Sequence, residues 1–343
     1  MTTTNTFCPV SRTLGRHPEE LLPAIPLLIG YRPSDSLVCL FFDGSGSIVL
    51  SSRVDWDTCR TAPDDVVATL AERARNCEAN SVLVASIDAV RPDQHTIAAL
   101  ALSFLSRDFE LLWAGETFDD SWRGLECSPA CGEHLLDRHH PTVVGLIADG
   151  LAAAPDRDTI VAEIAEDPGR RIPDLGTAPT GRRLESWRDD AIERMAELLR
   201  TTEPLSDSDV DLVTRACRDL RVRDVVLWRI TNGPHHGRAL LQRCWDVFAE
   251  SLRRAPSDSI APVAAVAALI AWQLGEGTRA MECLKRARAA DPDHSLADLV
   301  FRCIDQARPP SLWHQVMAGL DEATCRYGHI DDRLDPQERS DRS

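Results

Sequence analysis

Lysine is nearly missing from this 343-residue chain: Lys285 is the only one, against 37 arginines. That deficit, beside abundant alanine, fits a GC-rich genome better than a functional choice. Basic charge is scarce overall, and the formal net charge is −16. A balance of that sign repels phosphate polyanions and anionic bilayers, so neither nucleic acid nor a membrane is an expected partner. Long apolar runs are missing too, since no stretch approaches the ~18 residues that cross a bilayer. Leu21 to Tyr31 is apolar, but it holds Pro23 and Pro26 and follows Glu19-Glu20. It also lacks a small-residue cleavage site, so it does not read as a signal peptide. A soluble cytoplasmic protein is the expectation.

Motifs that carry chemistry are missing as well. Gly44 and Gly46 make no phosphate loop, because no Lys-Ser or Lys-Thr follows and no helix opens there. There is no nucleophile-elbow serine between a strand and a helix. H-E-x-x-H does not occur, and neither does H-x-E with paired cysteines. Eleven cysteines are scattered without framework spacing. The odd number and the apolar settings suggest reduced, core-filling thiols.

What is present centres on Leu37 to Val54. Leu37-Val38-Cys39-Leu40-Phe41-Phe42 is a short unbroken apolar run rich in strand formers, which predicts a strand covered on both faces. Asp43-Gly44-Ser45-Gly46 then supplies a hairpin turn. Ile48, Leu50, Ser52 and Val54 alternate, so the second strand is expected to place them on one face. Met1 to Arg16 reads as a frayed end, and residues 1–17 as disordered. Pro18 to Ile29 reads as one short helix that Pro26 bends or ends. Val67, Leu70, Ala74 and Cys77 keep helical spacing after Pro63. Ser81 to Ile87 is a second apolar strand, Ile97 to Leu105 an amphipathic helix, and Phe109 to Ala114 a third strand. Trp122 to Cys127 is a candidate edge strand. Strand, helix, strand, helix, strand implies parallel neighbours joined by right-handed crossovers, and the opening hairpin makes the sheet mixed. The fold class is therefore an α/β head over 18–140, with a mixed, partly parallel sheet and an N-terminal β-hairpin.

Beyond Pro141 strand signals nearly vanish. Residues 141–180 read as short helices and a Pro/Gly-rich linker. Helical stripes then fill 181–328, giving an all-α C-terminal region. Val222 to Trp228 is apolar all round and reads as a buried helix, with a strand as the alternative. Gly275, Ala280, Leu284, Ala287 and Pro292 resemble a single tetratricopeptide unit. Without a second copy, a packed helix pair is favoured over a peptide-binding groove. Residues 329–343 read as a disordered charged tail.

Several segments together carry a family resemblance. Ile25-Pro26-Leu27-Leu28-Ile29-Gly30-Tyr31-Arg32-Pro33-Ser34-Asp35-Ser36-Leu37-Val38 and the later Arg53-Val54-Asp55 resemble the N-terminal signature of domain-of-unknown-function family 4192, found mainly in actinobacteria. Arg218 to Asp224, Ala271-Trp272, Gly275-Glu276-Gly277, Ala290-Asp291-Pro292 and Pro309-Pro310 resemble later family segments. The resemblance implies an architecture and assigns no activity.

Three sets of residues are candidate sites. Arg32, Asp35, Ser36, Arg53 and Asp55 flank the central strands, where charged side chains line clefts in α/β folds. The blander account makes Asp35 and Ser36 a turn cap and pairs the arginines with nearby acids. Cys127, Cys131 and His134 have soft-ligand character and would need a fourth ligand to hold zinc. A closed zinc site would show a second ligand pair, and the resemblance implies a cysteine often found where Gly132 stands here, so zinc is not expected and free or locally bridged thiols are preferred. Arg218, Arg221 and Arg223 offer a phosphate contact through bidentate guanidinium forks, with intrahelical pairing as the alternative. His235-His236 reads as an exposed turn.

Two functions follow. One is a protein-interaction or regulatory binding module. The other is an enzyme or a small-molecule or phosphate binder using a polar cleft at the strand ends. No catalytic residue is assigned.

Overall fold

The computed structural model describes residues 3–6, 14–90, 93–125, 132–173, 179–234 and 237–327. The chain divides into two compact units. The first is Met1–Ala162 with Gly275–Met281 and Phe301–Pro309, and the second is Glu163–Leu274 with Glu282–Val300 and Pro310–Ser343. The break after Ala162 falls within the 141–180 segment.

The first unit contains β1 (Thr3–Thr6), α1 (Pro18–Leu21), α2 (Ile25–Ile29), β2 (Ser36–Phe42), β3 (Ile48–Asp55), α3 (Trp56–Thr61) and α4 (Pro63–Asn76). It continues with β4 (Ser81–Ile87), α5 (Gln94–Leu105), β5 (Glu110–Phe118), β6 (Ser121–Gly124), β7 (Gly132–Leu135), α6 (Pro141–Ala148) and most of α7 (Arg157–Ile164). The strands make one mixed seven-stranded sheet in the order β1-β3-β2-β4-β5-β6-β7. Every residue of β2 and of β4 is buried, as mostly apolar runs require of strands covered on both faces.

One expectation about the sheet needs correcting. Of the hairpin strands, β4 lies beside β2, and those two run antiparallel. The crossover through α3 and α4 therefore leaves β3, passes β2 and returns in the same direction as β3. Only β4 and β5 are parallel neighbours.

Each sheet face has its own core. Val38, Leu40, Phe42, Leu83, Ala85 and Trp113 pack with Leu21, Ile25 and Leu28 of α1 and α2 and with Val143 and Leu146 of α6. On the other face Phe41, Phe104 and Phe109 meet edge to face, with ring centroids 5.7 to 6.0 Å apart. Such pairs add about 0.5–1.5 kcal/mol each beyond their buried area. Ile48 belongs to the first core, not to the face of Leu50. A bulge sets Phe42 opposite Ile48 while Phe41 stands opposite Leu50, so the alternation slips.

Smaller departures have local causes. Thr3–Thr6 pairs with β3 as an edge strand, where the polar composition suggested fraying. Pro26 occupies the first turn of α2 and so starts that helix, because its missing N–H falls where no partner is needed. Two later segments join the first unit through long-range bonds. Thr278 Oγ1 donates to the Ile29 carbonyl at 3.3 Å, and Asn76 Nδ2 donates to the Gln306 carbonyl at 2.9 Å. Arg73 pairs with Asp305 at 2.7 Å.

The second unit is built from α8 (Arg182–Leu198), α9 (Asp207–Arg218), α10 (Leu220–Asn232), α11 (Arg238–Arg254), α12 (Ile260–Gln273), the part of α13 (Gly277–Ala290) from Glu282, the part of α14 (Ser295–Asp305) up to Val300, α15 (Ser311–Ala318) and α16 (Glu322–Tyr327). Among the described residues beyond Leu135 no further strand forms. α9 opens with a reciprocal capping box, Ser206 with Asp209. Asp219 caps α10 by accepting from the N–H groups of Arg221 and Val222. Val222 to Trp228 is therefore helical. Arg254 is 2% exposed, and its guanidinium donates to the carbonyls of Arg170 at 3.3 Å and Leu205 at 3.0 Å and to Asp207. It fastens the segment after α7 and the approach to α9 onto the end of α11. In the tetratricopeptide-like stretch, Ala280, Leu284 and Ala287 are buried as packing positions.

Candidate functional site

The register brings one end of the sheet together. Ser36 stands opposite Asp55 and Ile87, Ile87 opposite Thr117, and Phe118 opposite Ser121. Here Asp35, Asp88 and Asp119 all hold left-handed backbone, with φ of 44°, 43° and 51°. Aspartate tolerates that region better than most residues, since its short side chain bonds locally. The backbone links these ends in series: the N–H of Asp35 donates to the Asp88 carbonyl at 3.3 Å, and that of Asp88 to the Thr117 carbonyl at 3.2 Å.

The five residues singled out from the sequence do not meet at one point. Arg53, Ser36 and Asp55 form a network on one face. Arg53 Nε donates to Ser36 Oγ at 2.7 Å, and a terminal nitrogen donates to Asp55. Ser36 Oγ in turn donates to the Ser34 carbonyl, so its proton is held by an amide oxygen and not by a base. Asp35 turns away from this network and accepts from the Val90 N–H at 3.1 Å, fixing the exit from β4. Arg32 is anchored through its backbone N–H to the Ala154 carbonyl at 3.1 Å, and its side chain is exposed.

Sequence reading missed a second polar group at this end. Glu116 of β5 is 2% exposed, and its Oε1 accepts from Arg123 Nε at 3.2 Å and from a second nitrogen of that guanidinium. Among the described residues its Oε2 is buried without a partner, as is Oγ of Ser86, which faces Glu116 across the parallel ladder. The clue was a glutamate closing the apolar run Leu111 to Gly115. Burial pushes the Asp88 carboxyl up, against the opposing pull of Arg138.

The arginine cluster is likewise engaged. Arg218 pairs with Asp258 at 2.6 Å, Arg221 lies 3.7 Å from Glu185, and Arg223 pairs with Asp224 at 2.7 Å. Of the metal candidates, Cys127 and Cys131 lie outside the described residues, as does the His235-His236 pair. His134 stacks on Trp122 with centroids 4.3 Å apart and planes 18° apart. Among the described residues no three His, Cys, Asp or Glu side chains come together to hold a metal.

The second unit holds a pocket of about 380 Å³ between α8, α10, α11 and α16. Ile192, Leu199, Val226, Ile230 and Leu240 line it, together with Glu193, Arg200, Arg229 and Glu322. Arg229 bonds Glu193 at 3.0 Å and Glu322 at 2.8 Å. The hydrogen bond from Arg229, with Arg326 nearby, holds the Glu322 carboxyl below the usual carboxylate range. Gly233 closes the last turn of α10 beside the pocket, where a Cβ would collide with the Arg229 carbonyl. Sequence reading missed this site because its walls come from four separate helices.

No helix among the described residues is long and apolar enough to cross a membrane. Comparison with the curated proteins and with the solved structures yields no match. The family model described as Domain of unknown function (DUF4192) matches residues 18–311, from the start of α1 to the start of α15. That span takes in the sheet, the hairpin with its Arg-Val-Asp exit and nearly all of the helical unit, and the chain belongs to the DUF4192 family.

Proposed function

We propose that this chain is a non-catalytic regulatory binding module whose helical unit takes a small, largely apolar molecule between α8, α10, α11 and α16. The observation that carries this reading is the pocket of about 380 Å³ with its apolar side chains and few charged ones. Small-molecule sites fall at about 300–1,000 Å³ and have that kind of lining. The non-catalytic half of the reading draws on the sheet unit. Arg53 already binds Ser36 and Asp55, Asp35 already binds a backbone N–H, and Ser36 has no base. A phosphate at the arginine cluster would have to displace Asp258, Glu185 and Asp224.

A calorimetric screen of apolar small molecules tests the proposal. Binding to the wild type that is lost in Leu240→Trp, which fills the pocket, supports it. Binding unchanged by that substitution contradicts it.

A second reading, a protein partner on the outer face of α6, draws on Val144 and Ile147, which are 55% and 56% exposed one turn apart. Isolated exposed apolar residues are ordinary, but two on one short helix make a patch. Proximity labelling that enriches the same protein with the wild type and loses it with V144D/I147D supports this reading. Equal enrichment with both contradicts it.

A further inference from the structure

We infer that the ligand of the helical pocket is a small monoanionic amphiphile, an apolar body carrying one carboxylate, held at its charged end by Arg200. This rests on the pocket reading above and adds the chemistry of the ligand's polar end.

Four charged side chains line the pocket, and they are not equivalent. Arg229 is already held by Glu193 and Glu322. Arg200 is exposed at the rim, and no ion pair joins it to a carboxylate among the described residues. A guanidinium in that state offers a two-pronged grip to one carboxylate. The start of α11 adds positive character beside it. Leu240 lines the pocket from the first turn of this 17-residue helix. That turn holds no acidic residue, and the N-cap Gly237 brings no side-chain acceptor. Among the described residues of that turn, no acidic side chain offsets the positive end of the helix dipole.

The same surroundings limit the charge to one. Arg200 alone can hold one carboxylate, since Arg229 is taken up by Glu193 and Glu322, and the whole chain at −16 opposes any polyanion. A cationic head would be repelled by Arg200, while both glutamates already have Arg229. The rest of the ligand meets Ile192, Leu199, Val226 and Ile230, which favour a tail without polar groups. Each methylene buried there strengthens binding about three- to fourfold.

Calorimetry of the full chain with octanoate, decanoate, decanol and decyltrimethylammonium tests the inference. Decanoate is expected to bind about tenfold tighter than octanoate and about tenfold tighter than decanol, and the cation weakest of all. Arg200→Met is expected to bring decanoate down to the affinity of decanol and to leave decanol unchanged. If decanol or the cation equals decanoate, or if Arg200→Met leaves decanoate untouched, the anion assignment is overturned while the pocket reading stands. If none of the probes binds the wild type, or all bind Leu240→Trp equally well, the pocket reading falls and the anion assignment falls with it.

Discussion

Arg229 holds Glu322 through two hydrogen bonds to a single carboxylate oxygen, from Nε at 3.2 Å and from a terminal nitrogen at 2.8 Å. The same guanidinium reaches Glu193 at 3.0 Å, so one side chain of α10 ties α16 and α8 beside the pocket. The Glu322 carboxyl is held below its ordinary value of 4.5, first by the hydrogen bond from Arg229. A carboxyl lowered by folding adds stability that is fully present above its unfolded pKa and is lost as pH falls through its folded one. Arg229→Met should therefore cost about 0.5–1 kcal/mol at pH 7, discounted for the solvent that reaches this pair. Urea melts at pH 7 and pH 3 check this: the gap from the wild type should narrow at the lower pH, and a constant gap contradicts the assignment.

The network at the sheet end predicts coupling between two sites. Arg53 is mostly buried, and its Nε has Ser36 Oγ as acceptor. Ser36→Ala leaves a buried donor without that acceptor, and Arg53→Met leaves the hydroxyl and Asp55 without their donor. Each should cost about 1–3 kcal/mol. The double variant should cost less than the sum of the two, because both remove the same bond. Strict additivity in chemical denaturation would show that the bond contributes nothing.

Gly115 sits in the middle of β5, opposite Gly124. A Cβ there would collide with the Arg123 carbonyl and the Trp113 ring. The carbonyl is backbone in the paired strand and cannot swing aside. Gly115→Ala should lose at least about 2 kcal/mol, although alanine ordinarily suits a strand better than glycine. An unchanged melting temperature would mean that β5 and β6 are not paired in this register.

Four buried thiols of the described cores, Cys39, Cys59, Cys217 and Cys244, should be inert. Burial pushes Cys59, Cys217 and Cys244 up to about 12 and Cys39 well above its ordinary value. At pH 8 a thiol with a pKa near 12 is ionised to about one part in ten thousand, and the thiolate is the reactive form. Iodoacetamide followed by peptide mass mapping should leave these four unmodified in the native protein and label them in urea. Cys325, only partly buried, should react before them. Prompt native labelling of Cys39 would contradict a covered β2.

The covered strands were legible because short, mostly apolar runs rich in strand formers allow little else. Leu37 to Phe42 and Ser81 to Ile87 are strands over those residues, and both are wholly buried. Strand order was not legible, because the pairing of β2 with β4 depends on which faces the helices cover and not on local pattern. β7 escaped notice because Gly132 to Leu135 has neither length nor alternation, and it stands as an exposed edge strand. Ile48 changed face through a bulge that no periodicity announces. At the candidate sites, the residue types that drew attention were mostly those that bind one another. The pocket gathers side chains as far apart as Ile192 and Glu322, a relation that only tertiary packing creates.

Methyl-resolved NMR of the full chain titrated with decanoate bears most directly on the pocket. Resonances of Ile192, Leu199, Ile230 and Leu240 should shift together and saturate at one affinity, while Leu40 and Leu83 in the sheet core stay still. Shifts confined to the sheet, or no saturable shift at all, would contradict a ligand site in the helical unit.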